Sequence, residues 1–109
     1  MPFDLIPDIA GLDLGHAELI VPQVAEAIAP GGDYRIDTRS WTHCDLSGVA
    51  VLLSALRSAE AIGARLAIEM PPDGLVMDRM RACGIDPDTQ LEMHEGRAIG
   101  LRTGTYQGT

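Results

Sequence analysis

The middle of the chain carries the pattern that most restricts its fold, an apolar stripe at helical spacing that is followed by a strand pattern. The stripe consists of Val49, Leu52, Leu53, Leu56 and Ala59. Residues three and four apart share one face of a helix, so a helix is predicted after Gly48 to about Ala61, with Gly63 as its C-terminal stop. Apolar residues then alternate from Leu66 to Met70, which predicts a strand.

Helix and strand patterns also alternate before this segment. Apolar residues recur four apart from Ile20 to Ile28 and predict a helix within residues 17–29. Proline loses no hydrogen bond in a first helical turn, so Pro22 places the start of the regular helix near Leu19. A short or edge strand is predicted within residues 3–9, which contain Pro7.

The other helices and strands are predicted from the same kinds of pattern in the rest of the chain. Alternation predicts a strand from Tyr34 to Thr42, with Tyr34, Ile36 and Thr38 on one face. A helix is predicted over residues 73–83, with Asp73 as a candidate N-cap. Residues 91–101 are predicted to be extended around a turn at 95–96, and residues 103–109 to form a frayed tail.

This order predicts an α/β fold, because strands joined by helix-length crossovers pair in parallel. The 109 residues, of which 46% are hydrophobic, suit one domain over residues 1–109. No apolar run reaches the roughly 20 residues that span a bilayer, and the N-terminus lacks a signal-peptide pattern, so no direct membrane insertion is expected.

Charge, cysteine content and the lack of catalytic motifs reduce the number of functions that are expected for this chain. A net charge of −8 argues against nucleic-acid binding, because that binding depends on basic residues that neutralise phosphates. Two cysteines, Cys44 and Cys83, do not form a secreted disulfide framework, which favours a cytoplasmic protein. No catalytic triad, Walker motif or dinucleotide glycine pattern occurs, so the chain is not expected to be an enzyme or to need a cofactor.

The ordered motifs resemble those of the STAS domain, as found in anti-sigma factor antagonists. The resemblance spans residues 11–86. It rests on Gly11-Leu-Asp13-Leu before a helix, Asp37 on a strand, Asp45-Leu-Ser-Gly48 at a helix start, and a short helix that ends with Cys83-Gly-Ile-Asp86. It implies a single domain whose mixed β-sheet carries helices mainly on one face.

The resemblance also implies a function. In anti-sigma factor antagonists the serine before the helix-opening glycine is phosphorylated by the partner anti-sigma factor, and that position here is Ser47. The implied partner-binding residues are Asp13, Asp45, Leu46, Ser47 and Gly48. Leu46 departs from the family pattern, which has a hydroxyl residue there.

Alternatives to a partner-binding site that is controlled by phosphorylation of Ser47 remain open. Ser47 could be only an N-cap hydroxyl or a small residue beside Gly48, and Asp45 could likewise be only an N-cap. The chain could instead be the STAS subunit of an ABC-type lipid transport system, bound to an ATPase, or a scaffold in a signalling assembly. No metal site is expected at His43, Cys44 and Asp45, since neighbours along a strand point to opposite faces.

Overall fold

A computed structural model describes residues 3–5, 11–12 and 14–102 of the chain. The elements in chain order are β1 (Phe3–Asp4), β2 (Gly11–Leu12), α1 (Leu14–Ala27), β3 (Asp33–Asp37), β4 (His43–Cys44), α2 (Leu46–Ile62), β5 (Arg65–Glu69), α3 (Leu75–Ala82), α4 (Pro87–Gln90), β6 (Leu91–His94) and β7 (Arg97–Leu101). The predicted tail and most of the predicted strand within residues 3–9 lie outside the described residues.

The main sheet is mixed, with the strand order β1-β3-β5-β7-β6. β1, β3 and β5 run parallel, and the register pairs Ile36 with Ile68. β7 is antiparallel to β5 and forms a hairpin with β6, whose turn holds Glu95 and Gly96 at positive φ. The predicted βαβ order and the turn at residues 95–96 are therefore confirmed.

The helices cover one face of this sheet. Tyr34, Ile36, Leu66, Ile68 and Ala98 are buried and belong to the core that the helices complete. The residues between them on the strands face the other way, where Arg97 Nε donates to Glu69 Oε1 at 2.6 Å. The predicted α/β class with helices mainly on one face is confirmed, whereas the extent of the domain over residues 1–109 stays a prediction.

α2 is the central helix of the fold. Its stripe of Val49, Leu52, Leu56 and Ala59 is at most 2% exposed, and the helix contacts α1, α3, β5 and β7. Gly63 ends it in the left-handed conformation at φ 74°, where a residue without Cβ has no steric penalty. The predicted apolar face and stop of α2 are confirmed.

Four sequence-based boundaries were wrong. α2 begins at Leu46 rather than after Gly48, because Asp45 caps the helix. α1 begins at Leu14 and contains Pro22 in its interior, because the buried residues Ile20 and Val24 hold the helix against α2 despite the missing N–H. β3 ends at Asp37, since the chain turns through residues 39–40. α3 has Gly74 rather than Asp73 at its N-cap, because a turn after Pro71 delays the helix start.

Two short elements were not predicted. α4 starts with Pro87 behind the N-cap Asp86, whose side chain accepts from the Asp88 N–H at 3.1 Å. β2 and β4 form a second, two-stranded parallel sheet that pairs Gly11 with His43 and Leu12 with Cys44. This small sheet lies at the start of α2 and positions the candidate site.

Candidate functional site

The first turn of α2 is fixed by an aspartate cap. Asp45 is extended at φ −104° and ψ −171°, and its carboxylate accepts a hydrogen bond from the Gly48 N–H at 3.0 Å. The Val49 N–H donates to the Asp45 carbonyl at 3.0 Å as the helix begins. Asp45 therefore satisfies one of the N–H groups that a helix start leaves without an intrahelical partner.

Ser47 lies inside this first turn and is not the N-cap. It is half-buried, between the exposed Leu46 and the buried Gly48. Among the described residues its hydroxyl makes no hydrogen bond. Because Asp45 caps the helix, the N-cap interpretation of Ser47 is wrong, and its hydroxyl has no structural duty in the described part of the chain.

A shallow depression lies beside the helix start. It is lined by His43, Cys44, Asp45, Leu46 and Arg79. Leu46 is 65% exposed, the largest exposed fraction among the large apolar side chains that the structure describes. Arg79, on α3, forms no ion pair with any described residue. The depression thus presents an apolar side chain and a cation at the start of α2.

The thiol beneath the site is held in its neutral form. Cys44 is 3% exposed. Burial, and then the charge of neighbouring Asp45, raises the pKa of Cys44 to about 11. A cysteine that stays protonated is a poor nucleophile and a poor metal ligand, so Cys44 serves the core rather than chemistry.

The small β2–β4 sheet brings two helix starts together. Leu12 pairs with Cys44, and α1 and α2 follow these strands. Gly11 permits the close approach, since a Cβ there would collide with the carbonyl oxygen and the ring of His43. Asp13, also predicted to bind a partner, lies outside the described residues.

The family model described as "Mlab, STAS domain" matches residues 10–93. The chain belongs to the STAS domain family. No curated protein and no solved structure gives a significant match to it. The predicted resemblance over residues 11–86 is thereby confirmed. It follows that the chain is a STAS-type regulatory or binding module, from a family that is generally not enzymatic.

The described residues of this STAS domain meet neither the requirements of a metal site nor those of a membrane-spanning helix. Within the described ranges, no three His, Cys, Asp or Glu side chains come together as metal ligands. None of the helices in the same part of the chain is long and apolar enough to cross a membrane.

Arg79 is the residue of this surface that the sequence did not reveal. It lies more than thirty positions after Asp45, and no motif links the two. Only the contacts of α3 with β4 and α2 bring its side chain to the edge of the depression. The periodicity of the sequence predicts that α3 is a helix, but it does not show which elements α3 packs against. Arg79 could therefore not be assigned to this surface from the sequence.

Proposed function

We propose that this STAS domain is a partner-switching regulator of the anti-sigma factor antagonist type. In its unmodified state the start of α2 binds a serine-kinase-like anti-sigma factor and thereby frees that kinase's other target. The kinase then transfers the terminal phosphoryl group of ATP to the Ser47 hydroxyl, which loses its proton. The phosphorylated domain releases the kinase.

One observation carries this proposal. Ser47 lies in the first turn of α2 with a hydroxyl that makes no hydrogen bond in the described part of the chain, because Asp45 already supplies the cap. A serine that a kinase modifies must be dispensable for local structure and reachable from outside. Ser47 meets the first condition, and its half-buried position beside exposed Leu46 supports the second.

The local charges make a phosphate at Ser47 tolerable within the domain. The helix N-terminus has a positive dipole end, which favours anions. Arg79, which forms no ion pair with any described residue, lines the depression beside it. The Asp45 carboxylate opposes these two contributions by repulsion. Because the helix N-terminus accommodates an anion within the domain, we assign the main consequence of phosphorylation to the partner.

The chemistry of the partner's surface explains why phosphorylation would release the partner. Leu46 gives an apolar contact at the start of α2, and a partner that covers it also covers Ser47, its neighbour. A phosphoserine adds about −1.5 to −2 charges and a hydrated group at neutral pH. Such a group cannot be buried against an apolar or acidic surface, so the complex separates.

The test is affinity purification of the tagged chain from its native host, with phosphosite mapping. Wild type, Ser47→Ala and Ser47→Asp are compared, and Ser58→Asp serves as the matched control because Ser58 is exposed on the same helix. We expect a serine-kinase-like protein with wild type, Ser47→Ala and Ser58→Asp but not with Ser47→Asp. We also expect Ser47 to be the phosphorylated residue.

A constitutive partner is the second candidate, and the exposed Leu46 favours it. An apolar residue in place of the family's first hydroxyl suits a surface that remains bound, as expected for a STAS subunit of an ABC-type transport system. In that case an ABC ATPase copurifies equally with all four proteins and Ser47 carries no phosphate. That result would refute the switch.

A further inference from the structure

A second concave site lies away from the start of α2, against the last turns of that helix. It has a volume of about 440 Å³ and opens between α2, the segment before α4, and the β6–β7 hairpin. Leu53, Ile85 and Leu101 belong to its apolar wall. A volume above roughly 300 Å³ with mainly apolar walls is typical of pockets for small molecules.

Two of the polar side chains at this pocket accept hydrogen bonds from the protein itself, and a third does not take part in such a bond with any described residue. Glu60 Oε1 accepts the Leu101 N–H at 2.6 Å, and Gln90 Oε1 accepts the Asp86 N–H at 2.7 Å. Arg57 lines the same pocket, yet it forms neither an ion pair nor a hydrogen bond with any described residue. Among the described residues that line the pocket, Arg57 is the one cation, and none of its described neighbours engages its guanidinium.

We propose that this pocket binds a small amphiphile with an apolar body and a carboxylate head. The body lies against the apolar wall, and the head accepts hydrogen bonds from the Arg57 guanidinium, whose planar donors match a carboxylate. The nearby negative charge of Glu60 selects a head with a single charge, because a doubly charged phosphate would be repelled more strongly.

This inference goes beyond partner switching and does not depend on it. None of the described residues that line the pocket belongs to the depression at Ser47. Binding at Arg57 can therefore be tested on the purified chain without any partner, and its failure would leave the role of Ser47 untouched.

The experiment is a titration of the ¹⁵N-labelled chain with octanoate below its micelle concentration. We expect shifts of amide signals in the last turns of α2 and in the segment before β6. Octanol is the matched neutral probe, and it should bind about tenfold more weakly, since a hydrogen bond to a charged group contributes that much.

Two variants make the assignment specific. Arg57→Gln should raise the Kd of octanoate about tenfold, whereas Arg65→Gln, which removes an exposed arginine at the start of β5, should leave it unchanged. Ala61→Trp places a ring in the pocket from an exposed helix position and should abolish binding. The backbone signals outside the pocket report that each variant is folded.

Three results would overturn the proposal. The first is equal octanoate affinity of wild type and Arg57→Gln. The second is a set of shifts that lies outside the pocket or is missing. The third is a chain ending at Arg102 whose pocket signals shift without added ligand, because residues 103–109 would then be the occupant of the pocket.

Discussion

The Gly48 N–H donates a hydrogen bond of 3.0 Å to the Asp45 carboxylate, and this contact sets the first turn of α2 around Ser47. With the cap supplied by the side chain of Asp45, the Ser47 hydroxyl is not needed to hold the helix. Because Asp45 alone supplies the side-chain cap, the phosphorylation of Ser47 that we propose would leave this hydrogen bond in place.

Loss of the cap is expected to destabilise the domain. Asp45→Ala removes the acceptor of the Gly48 N–H and should lower the free energy of unfolding in urea by about 1 kcal/mol. Asp45→Asn keeps an acceptor oxygen, so its free energy of unfolding should fall by less than that of Asp45→Ala. Asp73→Ala is the control, because Asp73 precedes α3 without capping it. A loss at Asp73 as large as that at Asp45 would contradict this assignment of the caps.

The sequence predicts the parts of this fold whose signals are local. The stripe of α2, its end at Gly63, and the hairpin turn at Gly96 each depend on a local period or on a residue of special backbone preference. α4 carried such a signal as well, in the Asp86-Pro87 pair, but it is only four residues long and lacks an apolar period.

The remaining features depend on tertiary contacts. Pro22 is tolerated inside α1 because buried neighbours hold the helix, an effect that outweighs the local preference of proline. β2 and β4 have two residues each, too few to show alternation, and they exist because they pair with each other. Arg79 reaches the candidate site through the same kind of long-range contact, between α3 and β4.

Close packing at the small sheet should make Gly11 intolerant of a side chain. A Cβ at Gly11 would collide with the His43 carbonyl oxygen, which is backbone and cannot move aside easily. Gly11→Ala should therefore cost about 1–3 kcal/mol in urea unfolding. Gly100→Ala is the matched control, because its nearest atom is the flexible end of Glu60 at 3.2 Å. Equal losses in the two variants would show that β2 and β4 do not pair as described.

The Asp37–Arg39 pair should give the domain an acid-dependent contribution to stability. Arg39 binds both carboxylate oxygens, at 2.9 and 2.8 Å, and these bonds lower the pKa of Asp37 from 3.8 to about 2. A lowered pKa stabilises the folded state above pH 3.8, and this contribution is lost as the pH falls toward 2. Both side chains are partly exposed, so solvent screening keeps this contribution small.

Urea unfolding of Arg39→Gln measures this contribution. The variant should be less stable than wild type near about pH 6, and the difference should shrink toward about pH 2.5 as Asp37 is protonated. Arg81→Gln is the control, because the Arg81 Nη2 atom lies 3.7 Å from Asp88 Oδ2 in an exposed ion pair. This variant should differ little from wild type in stability at either pH. A loss in Arg39→Gln that stays constant with pH would mean that the Asp37 pair is not its cause.

Cys44 should resist alkylation in the folded domain. Burial and then Asp45 raise the pKa of its thiol to about 11, so at about pH 8 only about one molecule in a thousand is the reactive thiolate. Iodoacetamide labelling followed by peptide mass analysis should therefore modify Cys44 at least about a hundredfold more slowly in native protein than in urea. Asp45→Asn should accelerate labelling only slightly, since burial is the larger cause. Equal rates in native and unfolded protein would show that the strand beneath the candidate site opens freely, in which case Ser47 would not be held in a fixed first turn of α2.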